Sequence, residues 1–256
     1  MNRSRPVSGV SRCDLVLLHG WGFDYRIWDG MATTLQADYQ IERPNIPAPV
    51  FDCCDESSQG IDGYVMPLAA YFKKPCVLVG WSLGGLVAIR AANRFPDRVR
   101  AVVLLASTPC FIKRPDWPSG IEQKQLTGLV GRIQKDAQSA LKFFCGLVAQ
   151  GDPSPRQTMR LLQARVADLP QEILLSGLDI LARTDLRADL ATLDCPLAMI
   201  LGSNDKLVQS ASIRDIHKLR PDLHHVLIAD AGHAPFILKQ TETAFLLKEF
   251  LNDCIA

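Results

Sequence analysis

The chain has 256 residues, 48% of them hydrophobic and 21% charged, which suits one globular domain with a sizeable core. Its formal net charge of +1 excludes a general pull toward nucleic acid or an anionic membrane, and no apolar run is long enough to span a bilayer. The eight cysteines (Cys13, Cys53, Cys54, Cys76, Cys110, Cys145, Cys195 and Cys254) form no C-x-x-C pair, and residues 1–14 lack the apolar stretch of a secretion signal, so a cytoplasmic protein with reduced thiols is expected; a monomer is expected too, though no residue pattern fixes the oligomeric state.

Leu15-Val16-Leu17-Leu18 reads as a buried strand that ends in His19-Gly20-Trp21-Gly22. A glycine-flanked turn at a strand end lets main-chain N–H groups face a cavity. Trp21 is therefore a candidate oxyanion donor through its N–H, and its indole either walls a pocket or packs in the core. His19, at the strand end before a glycine, reads as a structural histidine that hydrogen-bonds the loop. A short helix is predicted over 28–35 and a strand around 40–42. Residues 43–62, rich in proline, cysteine and acidic side chains, read as an irregular loop in which adjacent Cys53-Cys54 has no assigned role. A helix over 63–71 leads to the next strand.

Residues 75–79 form an apolar run, followed by Gly80-Trp81-Ser82-Leu83-Gly84-Gly85 and a helix over 83–93 that Phe95-Pro96 stops. G-x-S-x-G between strand and helix is the nucleophile-elbow pattern. A serine at so tight a bend has strained backbone angles, and glycines two residues either side remove the clashes that side chains would make there. The Ser82 hydroxyl then stands at a helix N-terminus, where N–H groups favour a developing oxyanion.

A strand is predicted over 99–105, ending at Ala106-Ser107-Thr108-Pro109. From 110 to 183 the strand signal gives way to amphipathic helical patterns over 121–129, 137–149 and 171–181, and Ser154-Pro155-Arg156-Gln157 reads as a capped helix start. This is a helical cap at 110–183 inserted into a core made of 1–109 and 184–256. Strands return at 196–201, before Gly202-Ser203-Asn204-Asp205, and at 225–228, before Asp230-Ala231-Gly232-His233-Ala234-Pro235. A closing helix is predicted over 241–254. The alternation implies an α/β fold, a mostly parallel sheet with helices on both faces. Trp21, Ser82, Asp205 and His233 all follow strands, where such sheets bind their ligands.

A serine hydroxyl needs a base in contact, and the base needs an orienting carboxylate. The chain offers Ser82, Asp205 and His233, in the order of an α/β-hydrolase triad. Asp185 and Asp194 compete for the carboxylate role but do not follow a strand. His217, His224 and His225 read as surface or structural. The oxyanion would sit on the N–H groups of Leu83 and Trp21. No histidine–carboxylate cluster has metal-ligand spacing and there is no phosphate loop, so neither metal nor cofactor is expected.

Five stretches together resemble the pimeloyl-acyl-carrier-protein methyl ester esterases, carboxylesterases of biotin synthesis in the α/β-hydrolase superfamily: His19-Gly20-Trp21-Gly22, Gly80-Trp81-Ser82-Leu83-Gly84-Gly85, Ala106-Ser107-Thr108-Pro109-Cys110-Phe111, Thr184-Asp185-Leu186-Arg187 and Gly232-His233-Ala234-Pro235-Phe236. The resemblance implies a helical cap, an acyl-chain channel beneath it and an acidic acyl-carrier protein as partner. It also places Phe143-Phe144-Cys145-Gly146-Leu147 at the substrate-lining stretch, which makes Trp21, Phe143, Phe144 and Leu147 the expected substrate contacts. For the two phenylalanines, either one faces the channel or both sit in the cap core. The family's usual Asp-x-x-Gly-x-Gly-x-Ser loop is replaced by Glu42-Arg43-Pro44-Asn45-Ile46-Pro47-Ala48-Pro49, without glycines. Arg156 and Arg160 are four apart and share a helix face; with Lys142, and with Arg132 and Lys135 upstream, they form a basic surface suited to an acidic carrier. The competing readings are a small-molecule carboxylesterase, C–C hydrolase or acyltransferase on the same fold, and a catalytically silent binding protein.

Overall fold

A computed structural model describes residues 14–47, 60–72 and 74–255. In chain order it contains β1 (Asp14–Leu18), a 3-10 turn leading into α1 (Asp29–Leu35), β2 (Gln40–Glu42), α2 (Asp62–Val65), β3 (Cys76–Trp81), α3 (Leu83–Arg94), β4 (Val99–Leu105), α4 (Gln123–Lys135), α5 (Ala137–Val148), α6 (Pro155–Gln163), α7 (Gln171–Arg183), α8 (Arg187–Ala191), β5 (Leu197–Gly202), α9 (Ala211–Leu219), β6 (His224–Ile228), α10 (Pro235–Leu238) and α11 (Gln240–Ile255). The six strands form one sheet in the order β2-β1-β3-β4-β5-β6, and every neighbouring pair is parallel. The predicted α/β architecture is the one found. Cys13, Cys53, Cys54, Ala48 and Pro49 lie outside the described residues.

The apolar runs explain the order. β3, β5 and all of β4 except Arg100 are buried, as central parallel strands covered on both faces require. β2 and β6, at the edges, alternate or expose their residues. α3 packs on β1, β3 and β4 with α2 and α8 beside it, while α1 and α11 pack together and α11 reaches β4, β5 and β6. Because all strands run one way, every strand-to-helix turn opens at the same end of the sheet.

Between β4 and β5 the chain makes five helices, α4 to α8, and no strand. It leaves the sheet and returns at one neck: Cys110 bridges Asp185, and the Leu186 N–H donates to the Pro109 carbonyl at 2.9 Å. The inserted helices then fold back on the β1 turn. Ala167 N–H donates to Gly22 O at 3.0 Å, and Phe23 bridges Val166. One capping expectation is corrected. The Ser154 side chain makes no capping bond; its carbonyl starts α6 by accepting from Gln157 and Thr158 N–H. The capping box is at α4 instead, between Glu122 and Gln125. Among the described residues no helix is long and apolar enough to cross a membrane.

Candidate active site

Ser82 sits between β3 and α3 at φ 54°, ψ −120°, a conformation that a non-glycine residue holds only when its surroundings force it. The surroundings here are tight. A Cβ at Gly80 would run into the Gly84 carbonyl, and one at Gly84 into the Leu18 carbonyl, so β1, β3 and the start of α3 approach as closely as backbone allows. The Ser82 carbonyl is tied down by the Gly85 N–H at 2.9 Å and by the Ser107 hydroxyl at 2.6 Å. Ser107, just beyond β4, therefore buttresses the bend from the next strand.

Three side chains from three strand ends meet in line. His233 Nε2 lies 3.1 Å from Ser82 Oγ, and His233 Nδ1 lies 2.8 Å from Asp205 Oδ2. The other Asp205 oxygen, Oδ1, accepts the N–H groups of Leu207 at 2.8 Å and Val208 at 3.0 Å. A carboxylate held this way fixes the imidazole with Nδ1 as donor and leaves Nε2 to accept from the serine. All three residues are buried. Of the competing carboxylates, Asp185 is engaged by Arg187 in a two-pronged pair and by Arg114, at the neck of the inserted segment.

Trp81, inside the elbow, was not singled out from sequence. Its indole N–H donates to the His233 carbonyl at 2.8 Å, so the residue next to Ser82 also anchors the histidine loop. The pattern G-x-S-x-G leaves that position open, and nothing in the motif signals the contact. His19 is where the sequence reading put it. Its Nε2 accepts the Ile46 N–H at 2.9 Å and its Nδ1 donates to Gly20 O at 3.0 Å, tying the turn after β1 to the loop after β2. Burial pushes its pKa down, so the ring is neutral there.

Leu83 opens α3, and its N–H is one of the four that an α-helix leaves without an internal acceptor. Trp21 lies in the glycine-flanked turn, with Gly22 at φ 78°. The Trp21 indole is only 4% exposed; it donates to the Leu174 carbonyl of α7 at 2.8 Å and meets Phe144 edge-on, centroids 4.8 Å apart. It is thus a wall between two cavities. The first, with about 90 Å³ of free space, is a narrow cleft that reaches Ser82 and His233 and is lined mainly by apolar side chains of the inserted helices, among them Leu126, Leu129, Phe144, Leu147 and Leu178. The second, about 490 Å³, shares Trp21 but does not include Ser82, and it is bounded by Asn45, Ile46, Tyr64, residues 167–170, Ile173 and Leu174. Sequence patterns gave no sign of it.

Of the expected substrate contacts, Trp21, Phe144 and Leu147 line the Ser82 cleft; Phe143 does not, and that expectation is corrected. The buried face of α5 runs through Ala140, Leu141, Phe144, Cys145 and Val148, and the helical period turns Phe143 away from it. Phe143 is 41% exposed, with the Arg132 guanidinium 4.1 Å above its ring. Lys142, Arg156 and Arg160 are exposed, and among the described residues none of the three is in an ion pair. Arg156 and Arg160 flank one shallow depression at the start of α6.

A family model described as "Alpha/beta hydrolase family" matches residues 15–244. A protein from Aeromonas salmonicida named pimeloyl-[acyl-carrier protein] methyl ester esterase is 35% identical over 246 residues, 93% of this chain and 95% of that one. One of the same name from Aromatoleum aromaticum is 33% identical and covers 95% of this chain and all of its own. The esterase EaEST from Exiguobacterium antarcticum superposes with a TM-score of 0.81 at 18% identity, covering 94% of this chain and 92% of its own, a likeness of fold. With a family match over most of its length and relatives one-third identical end to end, the chain belongs to the alpha/beta hydrolase family, in the branch of the pimeloyl-[acyl-carrier protein] methyl ester esterases.

Proposed function

We propose that this chain is a cytoplasmic serine carboxylesterase that hydrolyses the methyl ester of a pimeloyl chain carried on an acyl-carrier protein, in biotin precursor synthesis. The observation that carries the reading is the hydrogen-bonded line from Asp205 through His233 to Ser82, opening onto a narrow apolar cleft. The substrate is taken from the names of the relatives. The geometry supports the following chemistry. His233 Nε2 takes the proton as Ser82 Oγ attacks the ester carbonyl carbon, and the Leu83 and Trp21 N–H groups hold the resulting oxyanion. Collapse breaks the bond to the methoxy oxygen, which leaves as methanol with the proton from His233. Water, deprotonated by the same nitrogen, then attacks the acyl-Ser82 ester, releases the carboxylate and regenerates the hydroxyl. Asp205 keeps the imidazole oriented and stabilises its cationic form in both halves.

In this reading residues 110–183 are the cap over the site, and the methylene chain lies along Phe144, Leu147, Leu126 and Leu129. The basic residues Lys142, Arg156 and Arg160 meet the acidic carrier. The free charges on α5 and α6 support this, because unpaired exposed cations steer an anionic partner without first breaking an internal ion pair. The test is growth rescue of a biotin-requiring strain that lacks its own esterase. The wild-type chain should restore growth and Ser82→Ala should not. If well-expressed enzyme that cleaves p-nitrophenyl esters gives no rescue, the substrate assignment is wrong. If Ser82→Ala cleaves those esters at a near-normal rate, the mechanism is wrong.

A further inference from the structure

A buried carboxyl group lies beside the triad and takes no part in the chemistry above. Asp152 belongs to the turn between α5 and α6, and it is 8% exposed. Its Oδ1 accepts the N–H of Gly232, the residue before His233, at 2.6 Å. Its Oδ2 is buried with no well-formed hydrogen bond, and so is the hydroxyl of Thr158, which faces the carboxyl from α6. The turn that carries it is pressed against both catalytic loops. A Cβ on Gly232 would strike the carbonyl of Gln150, a Cβ on Gly151 would strike Asn204, the neighbour of Asp205, and Asn204 Nδ2 donates to Gly151 O at 3.2 Å.

We infer that Asp152 is a positioning residue for His233: it clamps the Gly232 N–H, so that the inserted helical segment fixes the height of the imidazole over Ser82, and its carboxylate charge favours the imidazolium. The inference rests on the triad reading. The titratable groups that face Asp152 are Asp205 from the loop after β5 and His233 from the loop after β6; α6 contributes the neutral Thr158 hydroxyl. Burial raises the Asp152 pKa, and the Gly232 N–H, the Thr158 hydroxyl and the nearby His233 oppose that rise.

Two variants separate the clamp from the charge. Asp152→Ala removes both, and kcat on a small p-nitrophenyl ester is expected to fall about 10- to 100-fold, with KM within about threefold, as is usual when a group that orients a functional histidine is lost. Asp152→Asn keeps an acceptor for Gly232 and gives Thr158 a donor, so it recovers most of the lost kcat. Without the negative charge, the acid limb of kcat/KM moves to lower pH by about half a unit, the direction expected when an anion near an imidazole is removed. The His233 ring titration, followed by NMR in a Ser82→Ala background, should move with it. A pH profile and ring titration unchanged in Asp152→Asn, or Asp152→Ala with wild-type kcat, would overturn the inference. If Asp152→Ala does not fold, the Asn variant decides alone. The ring titration needs no turnover, so it reads Asp152 even if Ser82→Ala proves active and the triad reading fails.

Discussion

Gly177→Ala tests whether Trp21 is held rather than merely present. Gly177 lies on α7, and a Cβ built there comes 2.5 Å from Trp21 Cδ1 and 3.0 Å from Nε1. Ordinary carbon contacts need about 3.5–4.0 Å, so the indole must retreat by roughly 1 Å. It cannot do so freely, since Leu174 O holds its N–H and Phe144 stands edge-on to its ring. In a helix interior, Gly to Ala alone stabilises by about 1 kcal/mol. Overpacking costs about 1–3 kcal/mol, and weakening the buried indole hydrogen bond about 1 kcal/mol more. The clash wins by about 1–3 kcal/mol, which in a chain of this size lowers Tm by about 2–4 °C per kcal/mol. If the Trp21 N–H is an oxyanion donor, moving its ring also tilts that donor, and kcat on a short p-nitrophenyl ester should fall about tenfold or more. Thermal denaturation and initial rates on the same preparation suffice. A Tm that rises with kcat unchanged would mean helix propensity prevails and the Trp21 wall gives way at no cost.

The two neighbouring phenylalanines should separate cleanly. Phe144→Ala opens the Ser82 cleft and should lower kcat/KM for an acyl ester about 10- to 100-fold, the worth of a buried aromatic contact, whereas Phe143→Ala, on the outer face, should leave small-ester turnover unchanged; equal losses would mean that α5 is simply destabilised. The lowered pKa of buried His19 has a stability consequence. Its folded pKa lies below the unfolded value of about 6.5, so the unfolded chain binds the extra proton first, and stability is lost as pH falls from about 6.5 toward the folded value. Tm should therefore drop as pH falls below about 6.5, and His19→Gln should flatten that part of the curve; a variant with the wild-type slope would assign the loss to other groups. Double charge reversal, Arg156→Glu with Arg160→Glu, should raise KM for the carrier-bound ester and leave a small free ester unaffected; no loss on either substrate would move the carrier elsewhere.

Much of the fold was legible because its signals are local. Buried parallel strands read as unbroken apolar runs, and all six strands of the sheet begin and end within two residues of the predicted limits. The elbow was legible for a stronger reason: two glycines at fixed distance from a serine are what the Gly80–Gly84 and Gly84–Leu18 backbone contacts demand. The short helices α8 and α10 were not read, since four or five residues give no full helical period to recognise. Ser154 shows the opposite failure. Its sequence satisfies the capping rule, but at φ −131°, ψ 68° the side chain makes no capping bond, and Glu122, unremarked, caps α4 instead.

What stayed hidden around the site shares one physical cause: the residues act across chain separations that no motif spans. Trp81 holds His233 from 152 positions away, Trp21 donates to Leu174 from 153, and Asp152 receives Gly232 from 80. Each joins the sheet core to a loop or to the inserted helices, and each carries an ordinary local reading, a core tryptophan or a turn aspartate. The error at Phe143 has the same origin. Position in a family stretch says which helix lines the cleft, but the phase of that helix is set by which residues bury, and Ala140, Leu141, Phe144 and Val148 had already taken the inner face. Adjacent residues on a helix point about 100° apart, so once Phe144 was committed to the cleft its neighbour could not share it, and Phe143 was left to Arg132 and solvent.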